Sequence, residues 1–175
     1  RIVDRLLASE RYGEKWARPW LDLARYGDSA GYQHDMEMPL WLYRDWVIRA
    51  FNDDLPYDQF VLQQIAGDQV AKPGDNSPMA ALGFLTLGRR FINNQHDIID
   101  DRIDVVTRGT MGLTVGCARC HDHKYDPIPT ADYYSLYGVF DSCVERKTAL
   151  DEAAVTADAA FAKELQARQA KYQAE

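Results

Sequence analysis

Apolar residues recur along this chain every three or four positions, the repeat that gathers them on one face of a helix. Ile2 to Ala8 and Tyr12 to Tyr26 carry the pattern, the second through Trp16, Trp20, Leu21 and Leu23. Pro19 falls inside that second run and is expected either to kink the helix or to split it, with a later piece starting near the proline. Leu40 to Phe51 reads as a further helix, with Trp41, Tyr43, Trp46, Val47 and Phe51 supplying large apolar surface. Pro56 suits the first turn of a helix running to about Ala66, and Ser77 and Pro78 stand as N-cap and first-turn residue of another. Ile99, Ile103, Val106, Thr110 and Leu113 are spaced four, three, four and three apart, which aligns them on one face of a helix from Asp97 to Leu113. Its leading acids, Asp97, Asp100, Asp101 and Asp104, complement the positive end of the helix dipole. Thr130 is placed to cap a last aromatic-rich helix, ADYYSLYGVF.

Between these runs, Gly27 to Pro39 (GDSAGYQHDMEMP) has no period and reads as a long loop, as does the turn-rich AKPGDNSP from Ala71 to Pro78. The tail from Asp151 to Glu175 lacks Gly and Pro and is expected to be helical with a weak apolar stripe. No strand alternation of useful length and no internal repeat is visible. The expected fold class is all-α, an irregular helical domain with long loops.

Composition narrows the class. The chain has 175 residues, 46% hydrophobic and 27% charged, the balance of a globular domain. No run of about 18 apolar residues occurs, so no stretch reads as a membrane span. A net charge of -7 and a pI near 5.1 argue against a nucleic-acid surface and favour basic protein partners or cations. RIVDRLLASERYG at the start reads as the middle of a helical pattern, so the chain is expected to be a piece of a longer protein.

The chemistry concentrates in GCARCHDHKYDPIP, residues 116–129. Cys117, Cys120 and His121 stand in the order C-x-x-C-H, which supplies two thiols for the vinyl groups of a haem and an imidazole for its iron within five residues. The free nitrogen of His121 then needs an acceptor, expected from the turn around Asp126 to Pro129. Ten Tyr, six Phe and four Trp can wall a dry pocket, with Tyr125, Tyr133, Tyr134 and Tyr137 nearest in sequence. A structural zinc site on Cys117, Cys120 and His123 competes, although Cys143 with His34 or His96 forms no matching second knuckle. A thioredoxin-like dithiol would need a βαβ context that is missing. Cys143 reads as a small buried hydrophobe.

The segments DIIDDRIDVVTRGTMGLTVGCARCHDHKYDPIPTADYYSLYGVF, WLDLARYGDSAGY and YRDWVIRAFNDDLPYDQFVLQQIAGD resemble the planctomycete cytochrome c-like domain known as domain of unknown function 1549, over about Arg1 to Asp141. The resemblance implies one covalent haem c per chain, held by Cys117, Cys120 and His121, in an extracytoplasmic, periplasmic or cell-surface, setting within a large exported protein. It implies no reaction. The domain is expected to occupy residues 1–145, with 146–175 a helical extension toward a further region.

The second axial iron position separates an electron carrier from a ligand-binding or catalytic haem. His96, just ahead of the long helix, is the expected distal ligand; His34, Met36 and Met38 are the alternatives, and His123 is too close to His121 to reach the far face. With six-coordinate iron, electron transfer to a redox protein or a neighbouring cytochrome domain is the expected role. With an open position the module would bind small ligands or act as a haem enzyme. Asp28, Asp35 and Glu37 suggest calcium, but EF-hand spacing is absent and a solvated loop is the preferred reading. No acid–base pair, nucleophile triad or phosphate loop stands out.

Overall fold

Helices form where the periodic runs lie. The computed structural model describes residues 1–29, 35, 40–88, 93–146 and 163. Its elements are α1 (Ile2–Leu7), α2 (Arg11–Leu23), α3 (Trp41–Asn52), α4 (Tyr57–Val70), α5 (Ser77–Ala81), α6 (Gly83–Thr86), α7 (Gln95–Met111), a 3-10 turn (Val115–Arg119) and α8 (Thr130–Asp141). Among the described residues there is no strand; Lys72 and Asp75 form an isolated bridge. The fold is all-α and irregular. One compact unit covers Arg1–Val144 and a second covers Glu145–Glu175. The helix expected over Asp151 to Glu175 and most of the Gly27 to Pro39 loop lie outside the described residues.

Several expectations change in detail. Pro19 does not split α2, which runs continuously from Arg11 to Leu23. The α4 segment breaks its helical backbone at Ala66 (φ -137, ψ 37) and then resumes to Val70, so the expected end at Ala66 marks a kink. Ser77 does not cap α5; the cap position is Asn76, and the Asp75 carboxylate accepts from the Ser77 amide at 3.0 Å. Thr130 likewise begins α8 inside the helix, with Pro129 at the cap position.

Two apolar centres follow. In the first, α2 packs on α3, and α4, α5 and α6 close over them. Tyr43, Trp46, Val47, Phe60 and Phe84 are buried there, and Trp20 stacks on Phe84 with ring centroids 5.7 Å apart. The polar atoms that this burial would strand are paired: Tyr43 Oη donates to Gln64 Oε1 at 2.6 Å, Trp20 Nε1 donates to the same oxygen at 2.8 Å, and Gln64 Nε2 donates to the Phe60 carbonyl. Arg25, with its backbone in the left-handed region at φ 62, pairs with Asp101 and so ties the end of α2 to α7.

The second centre lies between α7, the 3-10 turn and α8. Ile99, Ile103, Val115, Ala118, Tyr133 and Phe140 form it, flanked by half-buried Leu85, Val106, Leu113, Ile128, Leu136 and Tyr137. The face of α7 read from the sequence is the face that packs. Ile98, Arg102, Val105 and Thr107 are buried as well, because α7 is covered on more than one side.

Candidate cofactor-attachment site

The site begins where α7 stops. Gly112 adopts φ 70, a conformation costly for residues with a Cβ, and the amides of Gly112 and Leu113 turn back to the Arg108 and Thr107 carbonyls at 3.1 and 3.3 Å. This reversal feeds the chain into the 3-10 turn, where residues three apart eclipse one another. Val115 and Ala118 therefore stack inward, 4% and 0% exposed, while Cys117 and Cys120 line up on the outer side. Both cysteines are exposed free thiols, and so is Cys143, which was expected to be buried and instead donates from Sγ to the Val139 carbonyl at the exposed end of α8.

Arg119, between the two cysteines, reaches back to α7. Its Nη1 lies 3.1 Å from Asp97 Oδ1 and 3.5 Å from Asp100 Oδ2. The hydrogen bond to Asp97, helped by the charge of Asp100, holds the guanidinium proton more tightly than usual. Asp100 also accepts from the buried Tyr133 hydroxyl at 2.6 Å, and Tyr134 Oη donates to the Arg119 carbonyl at 3.2 Å. Burial, reinforced by the Asp100 hydrogen bond, raises the Tyr133 pKa far above the ordinary tyrosine value.

The two histidines after the cysteines have opposite arrangements. His121 is exposed, and its Nδ1 lies 2.7 Å from the Asp122 carbonyl. A carbonyl only accepts, so Nδ1 carries the proton and Nε2 of the neutral ring keeps its lone pair. The acceptor is thus Asp122 rather than the expected Asp126 to Pro129 turn. His123 instead accepts at Nδ1 from the Asp126 and Tyr125 amides at 2.9 and 3.3 Å, so its Nε2 donates to Thr114 Oγ1 at 3.0 Å. Both nitrogens are used to brace the loop. Asp122 Oδ1 accepts from the Thr130 amide at 2.8 Å and so caps α8.

His96, the expected distal ligand, is exposed near the start of α7, one residue from the Asp97 that holds Arg119. Its Nδ1 is hydrogen-bonded to Tyr137 Oη, and the two rings stack at 5.8 Å. Tyr137 lies 6.1 Å from Tyr134, so these two tyrosines span from His96 to the cysteine turn. The four tyrosines expected as a closed wall divide: Tyr133 is in the core, Tyr137 is half-buried, and Tyr134 and Tyr125 are 53% and 82% exposed. The alternatives His34, Met36 and Met38 fall outside the described residues, as does Glu37 of the suggested calcium loop. Asp28 in that loop accepts from Tyr26 Oη at 2.9 Å.

The donor set can be tested against the groups it could hold. For a covalent haem, two thiols on one side of one turn and an imidazole with a free Nε2 are the chemistry required, and all three face outward. They fit. For zinc on Cys117, Cys120 and His123, the ligands are not assembled: His123 is spent on Thr114 and two amides, and among the described residues no three His, Cys, Asp or Glu side chains converge. A cleft of about 450 Å³ lined by Tyr12, Phe51, Asp54, Tyr57 and Phe60 includes none of the motif residues.

A family model described as PSCyt2, protein of unknown function (DUF1549), matches residues 1–145. The chain belongs to this family. No curated protein and no solved structure matches it. The PSCyt2 match covers every residue of the cysteine turn, and the family description assigns no activity. Sequence reasoning missed Arg119, Thr114 and Asp122 in this PSCyt2 site, since their partners lie on other elements and only three-dimensional proximity reveals them.

Proposed function

We propose that this domain carries one covalent haem c, attached through Cys117 and Cys120 with His121 as an axial ligand, and serves in electron transfer. One observation carries the reading: on a single exposed turn, two free thiols stand beside a histidine whose Nδ1–H is held by the Asp122 carbonyl, leaving Nε2 available. Attachment is redox-neutral at the thiols, since each sulfur forms a bond to one vinyl carbon while its proton ends on the other. When bound, the haem supplies a one-electron iron couple. The chain contributes the rest: the Asp122 carbonyl fixes the tautomer of His121 so that Nε2 is the donor, and the Arg119–Asp97 contact fixes the turn. His96 is the proposed distal ligand, which requires its Nε2, because Nδ1 is engaged by Tyr137.

The resemblance to planctomycete cytochrome c-like domains supports the same reading and, with it, an extracytoplasmic setting within a longer exported chain. The acidic surface, net charge -7, favours a basic redox partner or a neighbouring cytochrome domain. Among the described residues no helix is long and apolar enough to cross a membrane.

The test is a pyridine haemochrome spectrum of protein made in a host with a c-type haem maturation system. The expected result is a c-type spectrum that survives acid-acetone extraction and is lost when Cys117→Ala and Cys120→Ala are combined. Colourless wild-type protein, or protein with stoichiometric zinc, would overturn the proposal. A resting spectrum of five-coordinate iron in haem-loaded protein would retain the cofactor and replace electron transfer with ligand binding.

A further inference from the structure

We propose that Arg119 is a positioning residue: by clamping the C-x-x-C-H turn to the first turns of α7 it presents both thiols and His121 as one preformed unit. The inference deepens the haem reading above and rests on it. Arg119 is the only residue between the two cysteines, apart from Ala118, and the two divide the work. Ala118 is sunk in the core, whereas Arg119 leaves the turn sideways to Asp97 and Asp100, 22 and 19 positions earlier in the chain. Its carbonyl is taken by Tyr134 on α8, so one residue joins three elements. Asp97 and Asp100 are in turn fixed by other partners: Asn94 Nδ2 donates to Asp97 Oδ2 at 2.8 Å, and Tyr133 donates to Asp100.

The ion pairs are each about one-third exposed, so solvent screens them and together they change global stability little. Orientation is the larger effect. A C-x-x-C-H turn must offer its two sulfurs to two vinyl groups at a fixed separation, and a turn free to unwind offers them one at a time. Without the Arg119 side chain the turn keeps Val115, Ala118 and the Tyr134 bond to the residue-119 carbonyl but loses its only tie to the acids of α7 among the described residues, so it can rock about its apolar edge.

Arg119→Ala, Arg119→Lys and wild type are compared first as apoproteins, by hydrogen–deuterium exchange and by alkylation with iodoacetamide resolved for Cys117 and Cys120. In Arg119→Ala, exchange across residues 115–121 is expected to rise about tenfold, the factor that corresponds to about 1.4 kcal/mol of lost local anchoring, while α3 and α4 exchange as before. Arg119→Lys, which keeps a cation for Asp97, is expected to recover part of the protection. In the maturation host, Arg119→Ala is expected to accumulate protein with a single thioether, seen as a shifted haemochrome α band and by mass spectrometry. Unchanged exchange and unchanged alkylation rates in Arg119→Ala would overturn the proposal, whether or not haem is attached. Wild-type protein without haem would overturn the cofactor reading alone, because the apoprotein comparison still decides the role of Arg119. Uniformly increased exchange in all helices would show a general structural residue and would also overturn it.

Discussion

Replacing the two kinds of residue in C-A-R-C gives opposite results if the turn faces as described. Ala118 is 0% exposed and packs in the cluster of Ile99, Ile103, Val115 and Tyr133, so Ala118→Leu forces three extra carbons into a filled core. Overpacking of this kind costs about 1–3 kcal/mol. For a unit of this size each kcal/mol moves the melting temperature by about 2–4 °C, so the expected loss is roughly 2–12 °C. Cys117 and Cys120 are exposed free thiols, and the double change Cys117→Ser with Cys120→Ser, in apoprotein, is expected to stay within about 0.5 kcal/mol per site. The assay is urea unfolding of apoprotein made without haem maturation, followed by far-UV circular dichroism, with the slope checked for constancy between variants. If the serine pair costs as much as Ala118→Leu, the thiols belong to the interior and the outward-facing turn is wrong. If wild-type apoprotein shows no cooperative transition, the second core is not complete without a cofactor, and the same reasoning fails.

Gly67→Ala places a Cβ 2.2 Å from the Pro78 carbonyl oxygen and 2.9 Å from its carbon, backbone atoms that move only with α5, so a loss of about 1–3 kcal/mol is expected in the same assay. Gly116→Ala, by contrast, meets nothing within 4 Å and is expected to be tolerated, within about 0.5 kcal/mol, although it abuts Cys117. His123→Ala leaves the Tyr125 and Asp126 amides and the Thr114 hydroxyl without their partner, a loss of about 1–2 kcal/mol concentrated in the loop. Limited trypsin digestion is expected to cut faster after Lys124 in that variant. Burial holds the Tyr43 and Tyr133 hydroxyls protonated well above the ordinary value of 10.0. Folded and unfolded states bind the same protons below that value. Above it only the unfolded state loses them, so stability falls as pH rises beyond about 10, with a shallower slope in Tyr133→Phe.

Periodicity carried much of the fold. The run Ile99, Ile103, Val106, Thr110, Leu113 located the stripe of α7 that packs in the second core, while the burial of Ile98, Arg102, Val105 and Thr107 was not legible because α7 is covered on a second side as well. Caps were less legible. Ser77 and Thr130 have good capping side chains, but the chain places Asp75 and Asp122 as the acceptors, and a carboxylate two or eight residues away leaves no local signature. Of the two outcomes expected at Pro19, a kink or a split, the split does not occur. The motif was legible as chemistry, since C-x-x-C-H names its own donors, but its orientation was not: a pocket of tyrosines was expected, and Tyr133 alone went fully inside. The roles of His121 and His123 could not be separated from spacing, because each is decided by which backbone groups the loop turns toward its ring.

An outward-facing turn changes what a haem would do here. In a domain whose core is built around its cofactor, losing the haem removes the interior; here Ile99, Ile103, Val115, Ala118, Tyr133 and Phe140 already close upon one another. On the proposed reading the cofactor is therefore an appendage of a finished helical platform, attached to a turn held by Arg119 and by the His123 brace. Solvent at that surface favours the more positive, oxidised iron, whereas Asp97 and Asp100 are already paired with Arg119 and add little net charge there. A haem so placed would have an open edge. An open edge suits the role proposed above, passing electrons to a docked partner.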